Sequence, residues 1–306
     1  MGLEQFKNPK VTILYNDIDK TNAIHFTNIQ IDDFESDEAD TLNITTLWSN
    51  AKPRENDNIK IFVDGYFLGS FTITTIKYNY LISIEIEAIS ANYFKDFRQK
   101  KNRTFFNKSY FEILTQIAKE NGYNLKIDFE RMDEVGDLEQ YDLSDCAFCK
   151  KIADDLEITF CVKNDTLIFI DKDKQSNRVE YFLNEDDIFN LSYQINHSKV
   201  FNSCEIKWFD TKKNKSVTSK VGKGTPVLKF SDFARDKHEA LKKASARLKR
   251  QKNSILAGSV TAISKPFFAG GYLTLNLNNE PYKLKALISK ITHKISTSWT
   301  CEIEFT

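Results

Sequence analysis

The chain has 306 residues with 43 basic and 43 acidic side chains, so its charge gives no reason for it to wrap nucleic acid or to bind an anionic membrane. This length suffices for about two domains, or three if small ones pack together. Phe and Tyr are abundant, at 24 and 12, whereas Gly and Pro number 10 and 5, which favours ordered strands and excludes a low-complexity chain.

The N-terminal residues lack the apolar core of a signal peptide, and no stretch approaches the roughly 18 apolar residues that a membrane helix needs. We therefore expect a soluble protein made in the cytoplasm. Five cysteines are an odd number, and most fall in apolar strand or helix patterns, which predicts reduced and buried thiols. They are Cys146, Cys149, Cys161, Cys204 and Cys301.

The first part of the chain has the pattern of one strand after another, and these strands cover residues 11–15, 28–34, 41–48, 59–63, 66–76 and 81–89. Asp64-Gly65 is a strong signal for a hairpin turn between two of them. Strands this closely spaced predict a small antiparallel barrel, which we assign to residues 1–103.

A basic run at residues 95–103 leads into a second predicted domain, residues 104–171. Ser109 and Glu112 form a capping box at the start of a helix that Gly122 ends. A strand with alternating apolar residues and an acidic loop follow. The order helix, strand, loop, helix, hairpin predicts a small α+β domain with a loose internal duplication.

Residues 141–170 encode the most compact pattern in the chain: a cap, an amphipathic helix, a strand, a tight turn and a strand. Ser144 or Asp142 can cap the helix. Asn164-Asp165 suits a two-residue hairpin turn. The apolar face of the helix recurs at four-residue spacing, at Phe148, Ile152 and Leu156.

Residues 172–306 predict a second barrel with one long helix lying on it. The helix is expected at residues 231–252, capped by Ser231 or Asp232. The predicted strands cover residues 190–196, 200–208, 256–262, 271–277, 282–295 and 298–305. The predicted fold class is therefore α+β and mainly β, with two small antiparallel tube-like barrels flanking a small α/β insertion domain.

The sequence contains no strong signal for a catalytic, metal-binding or cofactor-binding site. Cys146 and Cys149 have the spacing of half a zinc knuckle or of a redox pair, but no matching ligands accompany them, and both positions fall on the packed side of a helix. The histidines, His25, His197, His238 and His293, are scattered. We expect no metal site, no cofactor and no catalytic residues.

Three further features have simpler structural interpretations than functional ones. An acidic run lacks the glycine and ligand spacing of a calcium loop and is interpreted as a solvated turn; it comprises Asp32, Asp33, Glu35, Asp37, Glu38 and Asp40. Basic residues crowd the last helix without interleaved aromatic residues, which argues against nucleic acid; they include Lys242, Lys243, Arg247, Lys249 and Arg250. Residues 221–224 lack the glycine spacing of a phosphate loop and are interpreted as a flexible loop.

Several segments resemble, in order and spacing, the phage late control D family of tail proteins. The segment Leu143-Ser144-Asp145 with Phe148 and residues 151–153 is similar to a motif of that family. Cys146 and Cys149 stand where the family has Asp and Leu. The other matching segments are residues 39–44, 58–61 with 69–73, 109–122, 282–284, 288–296 and 299–304.

The resemblance implies a structural, non-enzymatic baseplate hub of a contractile phage tail. Such a hub is a homotrimer with pseudo-hexameric symmetry that joins the hexameric tail tube to the three-fold central spike, with the tape measure protein as a further partner. It implies location in the virion tail baseplate after assembly in the bacterial cytoplasm, and no membrane or sequence-specific nucleic-acid partner. As a departure from the family, no spike or lysozyme segment is expected after the second barrel.

Two alternatives stay open. One is the hub or spike component of a type VI secretion or bacteriocin-like contractile device, because valine-glycine-repeat spike proteins resemble these hubs. The other is a baseplate-associated peptidoglycan hydrolase, for which acidic pairs can be chosen anywhere in such a chain but cannot be placed at the required separation.

Overall fold

The structure is a computed structural model that describes residues 8–35, 39–50, 52–90, 96–156, 158–171, 178–196, 200–211, 213–234, 236–253, 255–278 and 284–306. Within these ranges the chain is mainly β with three α-helices, in agreement with the predicted fold class. No helix in the described part of the chain is long and apolar enough to cross a membrane.

The first strands surround one apolar core. They are β1 (Val11–Tyr15), β2 (Ile18–Asp19), β3 (Phe26–Phe34), β4 (Thr41–Leu47), β5 (Asn58–Val63), β6 (Tyr66–Asn79) and β7 (Ser83–Ile89). All except β2 form what we call the N-terminal strand unit, in the order β3-β4-β7-β6-β5-β1. Alternate residues such as Ile13, Ile61 and Ile73 point into its core. The predicted turn at Asp64-Gly65 is present, with φ of 51° and 84°.

The middle domain follows, and its elements are β8 (Lys100–Ser109), α1 (Tyr110–Asn121), β9 (Asn124–Asp128), β10 (Val135–Ser144), α2 (Asp145–Leu156), β11 (Ile158–Lys163) and β12 (Thr166–Asp171). The capping box of Ser109 and Glu112 and the left-handed Gly122 confirm the predicted ends of α1. The predicted hairpin turn Asn164-Asp165 is also present. Both helices pack with the sheet β11-β12-β9 around one core.

The rest of the chain contains β13 (Glu180–Asn184), β14 (Ile188–Ile195), β15 (Ser203–Asp210), β16 (Lys215–Gly222), β17 (Val227–Ser231), α3 (Lys237–Asn253), β18 (Leu256–Ile263), β19 (Tyr272–Asn276), β20 (Leu284–Ile295) and β21 (Trp299–Phe305). Strands β13, β14 and β18 to β21 form the C-terminal strand unit, in the order β14-β18-β21-β20-β19-β13. Its core includes Leu183, Ile291 and Ile303.

The long helix does not lie on the C-terminal strand unit, so its predicted position is wrong. Strands β15, β16 and β17 form a separate sheet, and α3 packs on that sheet through Ala240, Ala244 and Leu248. The predicted strand at 200–208 therefore belongs to this small sheet and not to a barrel. The helix also begins later than predicted, because Asp236 Oδ1 accepts a hydrogen bond from Glu239 N at 2.8 Å and caps the first turn.

The two strand units are continuous. Strand β3 of the first pairs antiparallel with β20 of the second, which joins both units in one 13-stranded sheet. Among the described residues the first and last strands in the spatial order of each unit do not pair with each other. Each predicted barrel is therefore a curled sheet around a core and not a closed cylinder.

The two strand units also share their topology. If the six strands of each unit are numbered in chain order, both have the spatial order 2-3-6-5-4-1. One difference exists, because β1 pairs antiparallel with β5 whereas β13 pairs parallel with β19. The shared order supports the division into two equivalent units around a middle domain, and the boundaries at residues 103/104 and 171/172 stay predictions.

Candidate functional site

The junction between β3 and β20 joins the two strand units, and the middle domain contacts it. Ile29 lies opposite Ile295, and Asp32 lies opposite Thr292. Thr292 Oγ1 donates a hydrogen bond to Asp32 Oδ1 at 2.5 Å, in a buried position. The two strand units are therefore joined by backbone hydrogen bonds and by a hydrogen bond between buried side chains.

A buried charge cluster connects this junction to the middle domain. Lys163 Nζ, at the end of β11, binds Asp33 and lies 3.6 Å from Asp40 Oδ1. Asp33 Oδ2 accepts a hydrogen bond from Ala269 N of the C-terminal strand unit at 2.7 Å. One lysine and two carboxylates thus hold three parts of the molecule in a fixed arrangement.

The pKa values in this cluster are shifted. Burial raises the pKa of Asp40 to about 7, and the charge of Asp33 adds to this effect while Lys163 opposes it. Burial lowers the pKa of Lys163, but the charges of Asp33 and Asp40 outweigh it and raise the pKa above its ordinary value. Lys163 therefore stays protonated, and Asp40 is the group that titrates near neutral pH.

Further contacts fix the middle domain on the N-terminal strand unit. Asn164 Oδ1, in the β11–β12 turn, accepts a hydrogen bond from Ser70 N on β6 at 3.0 Å. Ser90 Oγ donates to the carbonyl oxygen of Val162 at 3.3 Å and accepts from Asp40 N at 3.0 Å. These short polar side chains make the interface specific in orientation.

The acidic run is not a solvated turn, which corrects the prediction. Asp32 and Asp33 are only 9% and 5% exposed and belong to the junction just described, as does Asp40. Glu35 Oε1 accepts from Arg178 Nη2 at 3.1 Å. Asp37 and Glu38 lie outside the described residues. The sequence shows the acidic residues but not the lysine 130 positions away that binds them.

The two cysteines on α2 confirm the packing interpretation in part. Cys149 is fully buried, and burial raises its pKa well above the ordinary value. Cys146 is half-buried, and burial raises its pKa as well. The described residues contain no group of three or more His, Cys, Asp or Glu side chains that could hold a metal ion.

Two basic residues of α3, Lys242 and Arg247, are engaged within the chain. Lys242 Nζ lies 3.0 Å from Glu130 Oε2 of the middle domain, and the Arg247 guanidinium stacks over the Phe230 ring at 5.1 Å. The side chains of Lys249 and Arg250 lie outside the described residues, as do His197 and residues 282 and 283. This helix connects the small sheet to the middle domain through Lys242.

Residues 221–224 are not a free loop. Val221 and Gly222 end strand β16, and a Cβ at Gly222 would lie 2.5 Å from the carbonyl oxygen of Asn202. The carbonyl oxygen of Gly224 accepts a hydrogen bond from Ser203 Oγ at 2.8 Å. The glycines therefore permit close packing against the start of β15.

A serine and a histidine lie in contact, which sequence reasoning did not find. Ser264 Oγ is 3.0 Å from His293 Nδ1, while His293 Nε2 is 3.2 Å from the carbonyl oxygen of Phe267. Trp299 Nε1 also donates to Nδ1 at 3.2 Å, so this nitrogen accepts and Nε2 carries the proton. Burial lowers the pKa of His293, whose side chain is 1% exposed. Both residues are buried, so the pair is enclosed by the surrounding protein.

Asp145 is a further buried carboxylate, which the sequence assigned only to a motif. Its fully buried side chain accepts hydrogen bonds at 2.6 to 2.9 Å, from Lys101, Arg103, Asn121 and Gln140. Burial raises the pKa of Asp145, but these hydrogen bonds and the charge of Arg103 outweigh it, so the pKa lies below its ordinary value. Asp145 therefore ties the ribbon of β8 and β10 to both helices.

Comparison with known proteins shows which other proteins share this fold. No protein-family model and no curated protein matches the chain. The tail protein from Neisseria meningitidis MC58 has a similar structure, with a TM-score of 0.75 and 10% identity over 97% of this chain and 96% of that chain. This chain has a phage tail protein fold.

Two further solved structures agree with this assignment. The prophage MuSo2 43 kDa tail protein from Shewanella oneidensis has a TM-score of 0.72 and 9% identity, over 97% of each chain. An Escherichia coli component of the type VI secretion system, itself similar to the T4 bacteriophage tail proteins gp27 and gp5, has a TM-score of 0.61 and 13% identity over 92% of this chain and 73% of that chain. The predicted resemblance to contractile-tail hub proteins is confirmed at the level of fold.

Proposed function

We propose that this chain is a structural subunit of a contractile-tail baseplate hub. The observation that carries the proposal is the pair of strand units, which share one strand order and lie side by side through β3 and β20. One chain thereby supplies two nearly equivalent segments of a wall, and three chains supply six. A homotrimer of this kind presents pseudo-six-fold symmetry on one face while keeping true three-fold symmetry.

The proposed partners follow from this symmetry. A hexameric tail tube fits the six wall segments, and a three-fold central spike fits the trimer. The tape measure protein is a further proposed partner inside the tube. The protein would lie in the baseplate of the virion tail after assembly in the bacterial cytoplasm.

The proposed role is passive and non-enzymatic. The Ser264 and His293 pair is enclosed, and the carboxylates of the junction are bound by Lys163, Thr292 and backbone donors. These groups stabilise the arrangement of the strand units, and a hydrolase would instead need acid and base groups open to a substrate.

A second candidate is the hub component of a secretion device. The similarity to the Escherichia coli component of the type VI secretion system favours it. Genes for a capsid and a terminase beside this one would favour a phage, whereas sheath and tube genes without them would favour a secretion or bacteriocin-like device.

The first experiment is the solution mass of the purified chain by light scattering over a range of concentrations, compared with 35.5 kDa for one copy. A mass three times this value, and a ring with six wall segments in electron micrographs, are expected. A chain that stays monomeric at high concentration and with its tube and spike proteins added would overturn the proposal.

A further inference from the structure

Two edges of the large sheet, on β14 and on the second half of β6, are unpaired within the described part of the chain. Strand β14 pairs with β18 on one side only. Strand β6 pairs with β5 as far as Thr72, and residues 74–79 have only β7 beside them. Long edges with apolar side chains favour association with another strand.

The free part of β6 has an exact counterpart in the sheet, because β6 and β20 match residue by residue. Each has a bulge against its hairpin partner, at Thr74 in β6 and at Ser289 in β20. At both bulges the hydroxyl donates to the backbone oxygen of a glutamate, Glu87 at 3.0 Å and Glu304 at 3.1 Å. Alignment of the two bulged residues, Thr74 and Ser289, makes residue n of β6 correspond to residue n + 215 of β20.

The free edge of β14 has a counterpart too. Strand β3 has a bulge between Phe26 and Asn28 against β4, and β14 has one between Ile188 and Asn190 against β18. These positions are equivalent in the shared topology, so β14 corresponds to β3. Strand β20 is thus the counterpart of β6, and β3 is the counterpart of β14. Within the chain these two counterparts, β20 and β3, pair with each other at the internal junction.

We propose that residues 74–80 of one copy pair antiparallel with β14 of a second copy and repeat the internal junction. Transfer of the β3–β20 register gives the partners: Ile76 with Ile195, Lys77 with Gln194, Tyr78 with Tyr193, Asn79 with Ser192, and Tyr80 with Leu191. The contact is head to tail, and a ring forms where its rotation closes. This inference rests on the proposed function and names the surfaces that would hold the copies together.

The side chains on the two edges match in character. Ile76 packs against the first core, and Leu191 and Tyr193 pack against the second. In the transferred register these core-facing residues meet apolar partners, because Ile76 lies opposite Ile195 and Tyr78 opposite Tyr193. The polar residues Lys77 and Gln194, both exposed, meet on the other face. A register shifted by one residue would place apolar residues opposite polar ones.

The hairpin ends give independent support. At the internal junction the end of the β20–β21 hairpin is covered, with Ile295 0% and Trp299 9% exposed in the core of the N-terminal strand unit. Their counterparts on the β6–β7 hairpin are Tyr80 and Ile82, which are 75% and 72% exposed. A second copy placed by the same junction would cover this apolar pair, and the energy of burial would favour assembly.

The test is disulfide trapping in a Cys146→Ser background, which removes the half-buried native thiol. Lys77→Cys with Gln194→Cys places two cysteines at directly opposed positions, within the Cα separation that a disulfide needs. Lys77→Cys with Asn190→Cys is the control, because Asn190 is also exposed on β14 but lies about 13 Å further along the strand. Mild oxidation of the full chain is followed by non-reducing electrophoresis.

We expect covalent dimers and trimers from the first pair, in at least about tenfold higher yield than from the control pair, since only the first geometry permits the bond. Each single-cysteine variant should give none, because a head-to-tail contact does not bring like residues together. A wild type that is trimeric by light scattering while both pairs cross-link equally, or not at all, would overturn the edge pairing and leave the hub function intact. A monomer under all conditions without selective cross-linking would overturn both.

Discussion

Ile82 and Trp299 occupy equivalent positions at the ends of two matched hairpins, yet Ile82 is 72% exposed and Trp299 is 9% exposed. The difference arises because Trp299 lies at the internal junction, where the core of the N-terminal strand unit covers it. Ile82 has no such cover among the described residues of one chain. The chain thus contains both a completed junction and the two halves of an incomplete one.

Replacement of Ile82 by Ser should weaken assembly without weakening the folded monomer. The side chain is exposed in the single chain, so its loss removes apolar contact only when a second copy covers it. We expect the dissociation constant for assembly to rise by about tenfold, measured by light scattering across a dilution series. Ile18→Ser, at a position that is 59% exposed on β2, is the control and should leave assembly unchanged. Equal effects of both changes would contradict the assignment.

Asp40 should make the protein less stable as pH rises. Its folded pKa of about 7 lies above the ordinary value of 3.8, so the folded state holds a proton that the unfolded state has released between these values. The contribution is fully present below pH 3.8 and is lost as pH rises towards 7. Asp40→Asn should remove this loss, which corresponds to about 4 kcal/mol for the full shift.

The measurement for Asp40 is the free energy of unfolding by urea at several pH values, for wild type and variant. Subtraction of the two curves isolates Asp40 from the other carboxylates. A difference that does not change with pH over this interval would show that Asp40 is ionised throughout.

Asp145→Ala should be strongly destabilising. The variant leaves Lys101, Arg103 and Gln140 without the carboxylate that they share in a buried position. Loss of one partner from such a network costs about 3–5 kcal/mol. The matched control is Asp142→Asn, since Asp142 binds Lys100 in an exposed ion pair that contributes about 0–1 kcal/mol, and Asn tolerates its φ of 51°. Thermal and urea unfolding of the two variants would separate these values, and similar losses would contradict the burial of Asp145.

Gly258→Ala should displace β14 and thereby disturb the proposed edge. A Cβ at Gly258 would lie 2.4 Å from the carbonyl oxygen of Ser192 and 2.8 Å from the Phe305 ring. Overpacking of this kind costs about 1–3 kcal/mol. Gly136→Ala, whose Cβ would meet no atom within 4 Å, is the control and should change stability by less than about 0.5 kcal/mol. Urea unfolding of both variants gives the comparison.

One cysteine should react with a thiol reagent in the native protein. Cys146 is half-buried, whereas the other four cysteines are buried, and burial raises the pKa of Cys161 and Cys301 to about 12. Mass spectrometry after brief alkylation should show one adduct in the native chain and five after denaturation. Cys146→Ser should show none in the native state, and a residual adduct there would identify a second accessible thiol.

Local chemistry allowed much of the fold to be predicted from the sequence. The capping box at Ser109 and Glu112 and the turns at Asp64-Gly65 and Asn164-Asp165 depend on neighbouring residues alone. Strands with one buried face showed their alternation directly. By contrast, β8 and β10 were missed, because this ribbon is largely polar and its charged residues bind Asp145 from a distance.

By itself, the sequence determined the type and order of most elements and the tail-protein resemblance, because hydrophobic period, caps and turns act within a few residues. Only the tertiary structure decided that α3 packs on the small sheet, that Asp33 and Asp40 surround Lys163, and that β3 pairs with β20. These contacts join residues tens to hundreds of positions apart, and many strands could satisfy the same edge. The choice between them depends on the packing of the whole chain, which no local pattern encodes.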